Sequence, residues 1–308
     1  FANDLGLDVA NSFLVIASPR KQTLVAAGDL AYHYSTTRLA EFCKETIFSC
    51  KDEKISVSYR RLGQVNASAD QEISPNLPLK YVCSDTDKYV LGKPLSQEFI
   101  NIVTKDGWTF EQVGQFVKRY LAILVDIAKT DGLTVDQVSA VAVLPSQYID
   151  CMPQNIMVDV LGKHTFIDRE WQLTAPIETN HLVFRSLLFL CDAITRFGRP
   201  ATGESLTVYL FIERALKAAG LKAELSDFDR YEMIETKIQL AVSGINVSAF
   251  FGMLNTRLLP MQTLHQIMIE RDIQLKQLNN RVAELQNSTS WRMTKPIRYA
   301  SDCVRKIF

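Results

Sequence analysis

Hydrophobic and polar positions divide the chain into four zones, and the first of them covers residues 1–20. Its apolar run Asn11–Ser18, ended by Pro19, is typical of a strand buried on both faces of a sheet. The next segment contains no comparable strand, so we expect the partner strands to lie upstream. Since the sequence begins with Phe1, we interpret it as a fragment of a longer chain.

The second zone, residues 21–95, alternates strand-like runs with turn residues. The charged turn Lys51–Lys54 predicts an antiparallel hairpin, and residues 63–78 read as a polar loop. The predicted strands, rich in β-branched and aromatic residues, are Ala31–Tyr34, Glu41–Phe48, Ile55–Arg60 and a further pair formed by Lys80–Cys83 with Lys88–Leu91.

The third zone, residues 96–255, has mostly helical spacing. Thr109 with Gln112 three positions later is a capping box, which predicts a helix that ends at Gly132. Further amphipathic stretches predict helices over 182–197, 205–219 and 229–243, ending near Gly198, Gly220 and Gly244. Residues 138–171 interrupt this pattern with β-type residues and turn signals.

The fourth zone predicts a coiled coil over 256–290 and a basic amphipathic tail over 291–308. Apolar residues follow steps of three and four from Met261 to Leu285, with one arginine among eight positions. The tail has five Lys or Arg against one Asp, a net charge of +4. We expect the coiled coil to pair with a second copy or a partner helix. The tail would lie on an anionic membrane surface or pack on a protein, through residues that include Trp291, Arg292, Lys295 and Arg298.

Composition narrows the class of protein. Lys plus Arg and Asp plus Glu both number 34, and this balance argues against a nucleic-acid partner. No run approaches the roughly 18 apolar residues of a membrane-spanning helix. The six cysteines are far apart, which predicts reduced thiols in a cytoplasmic protein: Cys43, Cys50, Cys83, Cys151, Cys191 and Cys303.

The interrupted segment contains the candidate chemistry. Ile156–Val158 and Thr165–Ile167 read as two short strands joined by a turn at Gly162. This hairpin would bring Asp168 back beside Asn155, with Asp150 on the other side of a proline-containing loop. Two carboxylates and a carboxamide can hold Mg²⁺ on nucleotide phosphates and orient an attacking hydroxyl, as phosphoryl transfer requires.

This spacing resembles that of protein kinases and aminoglycoside-phosphotransferase-like enzymes. The resemblance implies an α+β fold with a two-lobed kinase-like domain, its β-rich N-lobe over 21–95 and its helical C-lobe over 96–255. It also implies Mg²⁺ and ATP as cofactors, Asp150 as catalytic base, Asn155 as a metal ligand and Asp168 as the principal metal ligand. Tyr89–Leu95 is similar to the hinge between the lobes, which implies that Tyr89 and Gly92 contact the nucleotide.

The sequence also departs from that pattern. Tyr148 stands where a histidine is usual, Asp168 is followed by Arg169 and Glu170, and the loop Ser35–Arg38 in the phosphate-loop position has no glycine. No helix before residue 80 offers a glutamate to pair with the phosphate-binding lysine. Lys44 is our candidate for that lysine, with Arg60 or Arg61 as alternatives. An active phosphotransferase and a non-catalytic binding module therefore both stay open.

The two ends resemble a second class of protein. Asn11–Ser18 is similar to the last strand of a class I S-adenosylmethionine-dependent methyltransferase, and Leu285–Arg298 is similar to tails of bacterial glycosyltransferases and methyltransferases. The order of segments resembles bifunctional methyltransferase–kinase proteins of surface-polysaccharide (O-antigen) biosynthesis. This resemblance implies a glycan or lipid-linked glycan partner and a place peripheral to the inner face of the membrane. The S-adenosylmethionine site would belong to the missing upstream domain.

Overall fold

A computed structural model describes residues 28–63, 70–72, 79–82, 84–134, 142–244, 254–258 and 264–288, with the single positions 291 and 294. The predicted strand Asn11–Ser18 lies outside the described residues, and so do Arg292, Lys295 and Arg298 of the predicted membrane tail.

The described residues form a mixed α+β structure of small antiparallel sheets and six α-helices. The strands, in chain order, are β1 Asp29–Ser35, β2 Lys44–Lys51, β3 Lys54–Arg61, β4 Asp70–Glu72, β5 Leu79–Val82, β6 Thr86–Lys88, β7 Lys93–Pro94, β8 Val143–Leu144, β9 Ile156–Val158, β10 His164–Phe166, β11 Trp171–Leu173 and β12 Ile177–Glu178. The helices are α1 Ser96–Val103, α2 Phe110–Thr130, α3 Thr179–Asp192, α4 Val208–Ala219, α5 Leu225–Ser243 and α6 Leu264–Asn287.

The largest sheet has the order β1-β2-β3-β6. Its central hairpin confirms the prediction from the charged turn, because Lys51 pairs with Lys54 across a two-residue connection. Asp52 and Glu53 there have φ of 49° and 61°, the left-handed conformation that suits the right-handed twist of the flanking strands.

Two strand predictions were wrong. The strand predicted from Glu41 begins only at Lys44, because residues 40–42 form a 3₁₀ turn that buries Phe42. The predicted pair of Lys80–Cys83 with Lys88–Leu91 does not form: β5 pairs with β4 and β11, whereas the nearby strand β6 covers Thr86–Lys88 and pairs with β3. The reason is burial, since Leu79 and Tyr81 of β5 lie in the core and every residue of β6 is exposed. The strand β4 also falls within the predicted loop 63–78.

Most helix predictions were confirmed at their ends. Thr109 and Gln112 form the predicted capping box of α2, and α4 and α5 end at Gly220 and Gly244 in left-handed conformation. The prediction that α3 runs to Gly198 was wrong, because α3 ends at Asp192. Gly198 instead packs against a neighbouring loop, where an added Cβ would lie 2.1 Å from the carbonyl oxygen of Lys105.

The core of the helical part forms where α2 packs on α4. Gly114 of α2 allows this close approach, since a Cβ there would lie 2.7 Å from the backbone of Ala218. Aromatic rings fill the space at the end of this contact, and they are Phe99, Trp108, Phe110, Phe116 and Phe211. Burial of these rings supplies much of the hydrophobic stabilisation of this half of the structure.

Helix α6 lies within the predicted coiled coil, but the prediction that the coiled coil begins at residue 256 was wrong. Residues 256–258 are extended and pair with residues 206–208, where the Leu258 amide donates to the Leu206 carbonyl oxygen at 2.9 Å. From Ile273 onward α6 exposes its apolar residues. About half or more of the surface of each of these side chains is accessible: Ile273, Leu275, Leu278, Val282 and Leu285. Within the parts of the chain that are described, no helix is long and apolar enough to cross a membrane. Trp291 of the predicted membrane tail is 44% exposed.

Replacing Gly114 tests the close packing of α2 on α4. We expect Gly114→Leu to lower the free energy of unfolding by about 3 kcal/mol, because the new side chain would collide with helix backbone. Gln115→Leu is the matched control, since Gln115 is the next residue of α2 and is exposed. Urea unfolding followed by circular dichroism measures both, and equal small effects of the two substitutions would contradict this packing.

Candidate active site

Lys44 of β2 makes the contact that joins the large sheet to the segment after the β9–β10 hairpin. Its ammonium nitrogen lies 2.8 Å from Asp168 Oδ1 and also contacts Glu170. The side chain is 5% exposed and its nitrogen lies 4.6 Å from the centre of the Tyr59 ring. Burial lowers the pKa of this ammonium, but the two carboxylates raise it by more, so its pKa lies above the ordinary value. Lys44 therefore stays charged inside the protein.

The two arginines considered as alternatives to Lys44 lie elsewhere. The Arg60 side chain is 68% exposed and pairs with Glu45 at 2.7 Å. The guanidinium of Arg61 lies 5.4 Å from the centre of the Tyr81 ring. Of the three candidates for the phosphate-binding residue, Lys44 is thus the one that contacts Asp168.

Asp168 follows the predicted hairpin and has an unusual backbone. Its φ is 58°, a left-handed conformation that few residues other than glycine adopt. The hairpin fixes the preceding residue, since the Ile167 amide donates to the Asn155 carbonyl oxygen at 2.9 Å. The Asp168 side chain is 37% exposed, so its carboxylate is open to a ligand while it contacts Lys44.

The loop before β9 positions the other two predicted residues. Asn155 Nδ2 donates to the Asp150 carbonyl oxygen at 2.9 Å, so that Oδ1 is the atom able to bind a cation. The Asp150 carboxylate is buried and accepts a hydrogen bond from Arg185 Nη2 at 3.0 Å. Burial raises the pKa of Asp150, and although Arg185 opposes this, the pKa lies above its ordinary value. Such a shift brings a carboxylate closer to the pKa of an effective general base near neutral pH.

Two cavities meet at Asp168. The first has a volume of about 230 Å³ and lies between the large sheet and the hairpin, with Lys44, Tyr59, Thr86, Asp87 and Phe166 in its wall. The second, of about 250 Å³, brings together all three predicted catalytic and metal-binding residues, Asp150, Asn155 and Asp168. Asp168 therefore lines both cavities.

Tyr89 and Gly92 lie on the connection between the sheet and the helices. Tyr89 is 40% exposed, and its ring packs edge-on to Phe48 at 6.3 Å. A Cβ on Gly92 would lie 2.5 Å from the Val158 carbonyl oxygen, so this glycine lets the connection pass close to β9. Neither residue is among the described residues that line the two cavities.

Several residues of the site were missed by the sequence analysis. Glu170 contacts Lys44 and Arg38, and its Oε1 accepts from the Trp171 indole at 3.1 Å. Glu170 is thus the acidic partner of Lys44, for which no helix before residue 80 offers a glutamate. Its position two residues after Asp168 is the signal that could have identified it.

A buried charge network beneath Asp150 was also missed. Arg185 of α3 contacts Asp150 and Glu235, and His181 lies 2.9 Å from Glu235. His181, which the sequence did not group with any acid, is buried here. Because an isolated buried charge is costly, the four side chains stabilise one another through these contacts. Arg185 fixes the position of the Asp150 carboxylate through their ion pair.

The residues present fit a magnesium ion bound together with phosphates. Within the described part of the chain, no group of three or more His, Cys, Asp or Glu could hold a metal ion by itself. Mg²⁺ usually takes one or two protein oxygen ligands and completes its shell with phosphates and water. Asn155 and Asp168 offer that set at the wall of one cavity.

Comparison with known proteins provides no relative for this site: no family model, no curated protein and no solved structure matches the chain. The geometry of the described residues is thus the basis for any functional assignment.

Glu235 makes the stability of this network depend on pH. Burial raises the pKa of its carboxyl, but Arg185 and His181 lower it by more, so the pKa lies below the ordinary 4.5. A carboxylate with a lower pKa in the folded state contributes stability that is complete above the unfolded pKa. That contribution is lost as the pH falls through the folded pKa.

We expect Glu235→Gln to lower the free energy of unfolding by about 3 kcal/mol near neutral pH, because Arg185 loses a buried ionic partner. The difference from the parent should shrink as the pH falls below 4.5, since the parent then loses the same charge. Urea unfolding across this pH range measures the difference in stability. Glu213→Gln, which replaces an exposed glutamate, is the control. A difference that grows in acid would contradict the assigned direction.

Proposed function

We propose that this chain is a kinase-like phosphotransferase that uses Mg²⁺ and ATP to phosphorylate a hydroxyl group. One observation carries the proposal: Lys44 and Asp168, 124 positions apart, meet at 2.8 Å where two cavities join. A cation and an open carboxylate side by side suit the phosphates and the metal of a nucleotide. The cavity that also contains Asp150 and Asn155 suits the acceptor.

The order of the elements supports a kinase-like fold for residues 28–244. An antiparallel sheet precedes a short connection, and β7 of that connection pairs with β9 directly after the Asp150–Asn155 loop. The departures at individual positions have structural roles of their own. Tyr148 is buried and donates to Asp131 at 2.7 Å, and Arg169 contacts the same carboxylate.

The residues divide the chemistry between them. Lys44 binds the phosphates of the nucleotide, and Asn155 with Asp168 holds Mg²⁺, which when bound neutralises the charge on the phosphates. Asp150 orients the acceptor hydroxyl and takes up its proton. The acceptor oxygen forms a bond to the terminal phosphorus while the bond from that phosphorus to the bridging oxygen breaks, leaving ADP. Arg185 positions Asp150 and does not touch the reacting atoms.

The class of acceptor comes from the sequence resemblance at the two ends of the chain. We infer a glycan or lipid-linked glycan hydroxyl, in surface-polysaccharide biosynthesis, with methyl transfer by an upstream domain. The basic residues 291–308 would hold the protein at the inner face of the membrane. The supporting features are the net charge of +4 and the exposed Trp291.

A second candidate is a non-catalytic module that positions a methyltransferase through self-association. The observation that favours it is the exposed apolar stripe on α6, together with the absence of glycine from Ser35–Arg38. A stripe with this spacing buries its leucines when two helices pair. Both candidates are compatible with pairing, so nucleotide binding distinguishes them.

Nucleotide binding is the test of the phosphotransferase proposal. At a Mg²⁺–ATP concentration about 100 times the Kd, we expect binding to stabilise the parent by roughly 2.7 kcal/mol. This gain should be lost in Asp168→Asn and retained in Asp150→Asn, because Asp168 would hold the metal and Asp150 would act on the acceptor. Thermal unfolding with and without nucleotide measures it. A parent without any nucleotide-dependent shift would exclude the phosphotransferase and leave the non-catalytic module.

Self-association through α6 can be tested separately. We expect the parent to form dimers or larger species and the double substitution Leu275→Asp with Leu278→Asp to be monomeric, because charges would enter the apolar interface. Gln274→Asp with Gln277→Asp introduces the same charge on the same helix and should leave the oligomer intact. Light scattering after size-exclusion chromatography measures the mass, and a monomeric parent would argue against pairing.

A further inference from the structure

Arg38, in the loop after β1, has a side chain that is 18% exposed. One nitrogen of the group, Nη2, pairs with Glu170. The guanidinium also lies 5.5 Å from the centre of the Trp171 ring, so two contacts fix its position. Arg38 lines the same cavity as Asp150, Asn155 and Asp168.

The other terminal nitrogen of Arg38 is unsatisfied. Nη1 is buried and has no hydrogen-bond partner among the described residues. Burying a donor of a charged group without a partner is costly, so an acceptor that reached Nη1 would remove that cost. The unsatisfied Nη1 of Arg38 is therefore a candidate donor to an anionic oxygen of a ligand.

Glu170 connects the Arg38 guanidinium to the first cavity, in which the nucleotide is proposed to bind. Its carboxylate contacts Lys44 as well as Arg38, so a single acid holds two cations beside Asp168. Lys44 lines the first cavity and Arg38 lines the second. A phosphoryl group held between a nucleotide in the first cavity and an acceptor in the second would lie near Asp168 and Glu170, the acids beside Arg38.

We propose that Arg38 is a catalytic residue that binds the terminal phosphoryl group of the nucleotide through Nη1, and that Glu170 is the positioning residue that holds Arg38 and Lys44. The proposal rests on the proposed phosphotransferase function. A guanidinium suits this task because Nη2 can remain on Glu170 while Nη1 contacts phosphate oxygens. Lysine presents its donors from a single nitrogen and lacks the fixed fork of a guanidinium, so it cannot place two separate nitrogens on the two partners.

The preference for triphosphate over diphosphate tests the role of Arg38. Isothermal titration of the full chain with Mg²⁺–ADP and with the Mg²⁺ complex of the β,γ-imido analogue of ATP gives both affinities. We expect Arg38→Ala to weaken binding of the analogue about tenfold and to leave ADP binding within about twofold of the parent. Arg119→Ala, which removes an exposed arginine paired with Glu98 on the helical part, should change neither.

Arg38→Lys keeps a charge beside Glu170 and covers the case in which the alanine variant does not fold. It should also lose most of the preference for the analogue, since lysine has no second nitrogen at the position of Nη1 while its ammonium pairs with Glu170. Variants that keep the preference of the parent, or that lose ADP binding equally, would overturn the role of Arg38 and leave the phosphotransferase standing. A parent that binds neither nucleotide would overturn both proposals.

Discussion

The contact of Lys44 with Asp168 and Glu170 is the interaction on which the candidate site depends. It joins β2 of the large sheet to the segment after the β9–β10 hairpin, and thereby defines the wall shared by two cavities. A lysine that is 5% exposed must have acidic partners, because an unpaired ammonium in that place would be strongly destabilising. Glu170 is buried as well, and its carboxylate pairs with Arg38 in addition to Lys44.

The site as a whole is a set of buried charges that hold one another in place. Arg185, fixed by Glu235, holds Asp150 from beneath, while Glu170 holds Lys44 and Arg38 from the side of the sheet. Arrangements of this kind contribute little net stability compared with apolar packing of the same volume. Their retention here is consistent with a site that must present fixed charges to an anionic ligand. The aromatic core between α2 and α4 supplies the rigid support.

The predictable parts of the site were those that depend on local sequence. Asp150, Asn155 and Asp168 lie within 19 residues, and a short hairpin with a turn at Gly162 was enough to bring them together. The helix ends at Gly220 and Gly244 were predictable for a similar reason, since glycine there adopts the left-handed conformation. The kinase-like arrangement of the two parts stays a proposal, supported by the order of the elements.

The residues that were missed depend on contacts between distant segments. Glu170 reaches Lys44 because β5 passes beside the segment that leads into β11, where the Val82 amide donates to the Glu170 carbonyl oxygen at 2.7 Å. Nothing in the pattern of β5 predicts that partner, and the sequence suggested Lys88–Leu91 instead. Arg185 and Glu235 are 50 positions apart on different helices, and a buried ion pair has no periodic signature in a sequence.

The central claim is that the junction at Lys44 binds a magnesium nucleotide, and calorimetric titration of Lys44→Met tests it most directly. We expect saturable binding of Mg²⁺–ATP to the parent and at least about tenfold weaker binding to Lys44→Met, because a charged partner of the phosphates is lost. Lys51→Met removes an exposed lysine from the same strand and should bind like the parent. Equal affinities of all three proteins, or no binding to the parent, would contradict the account.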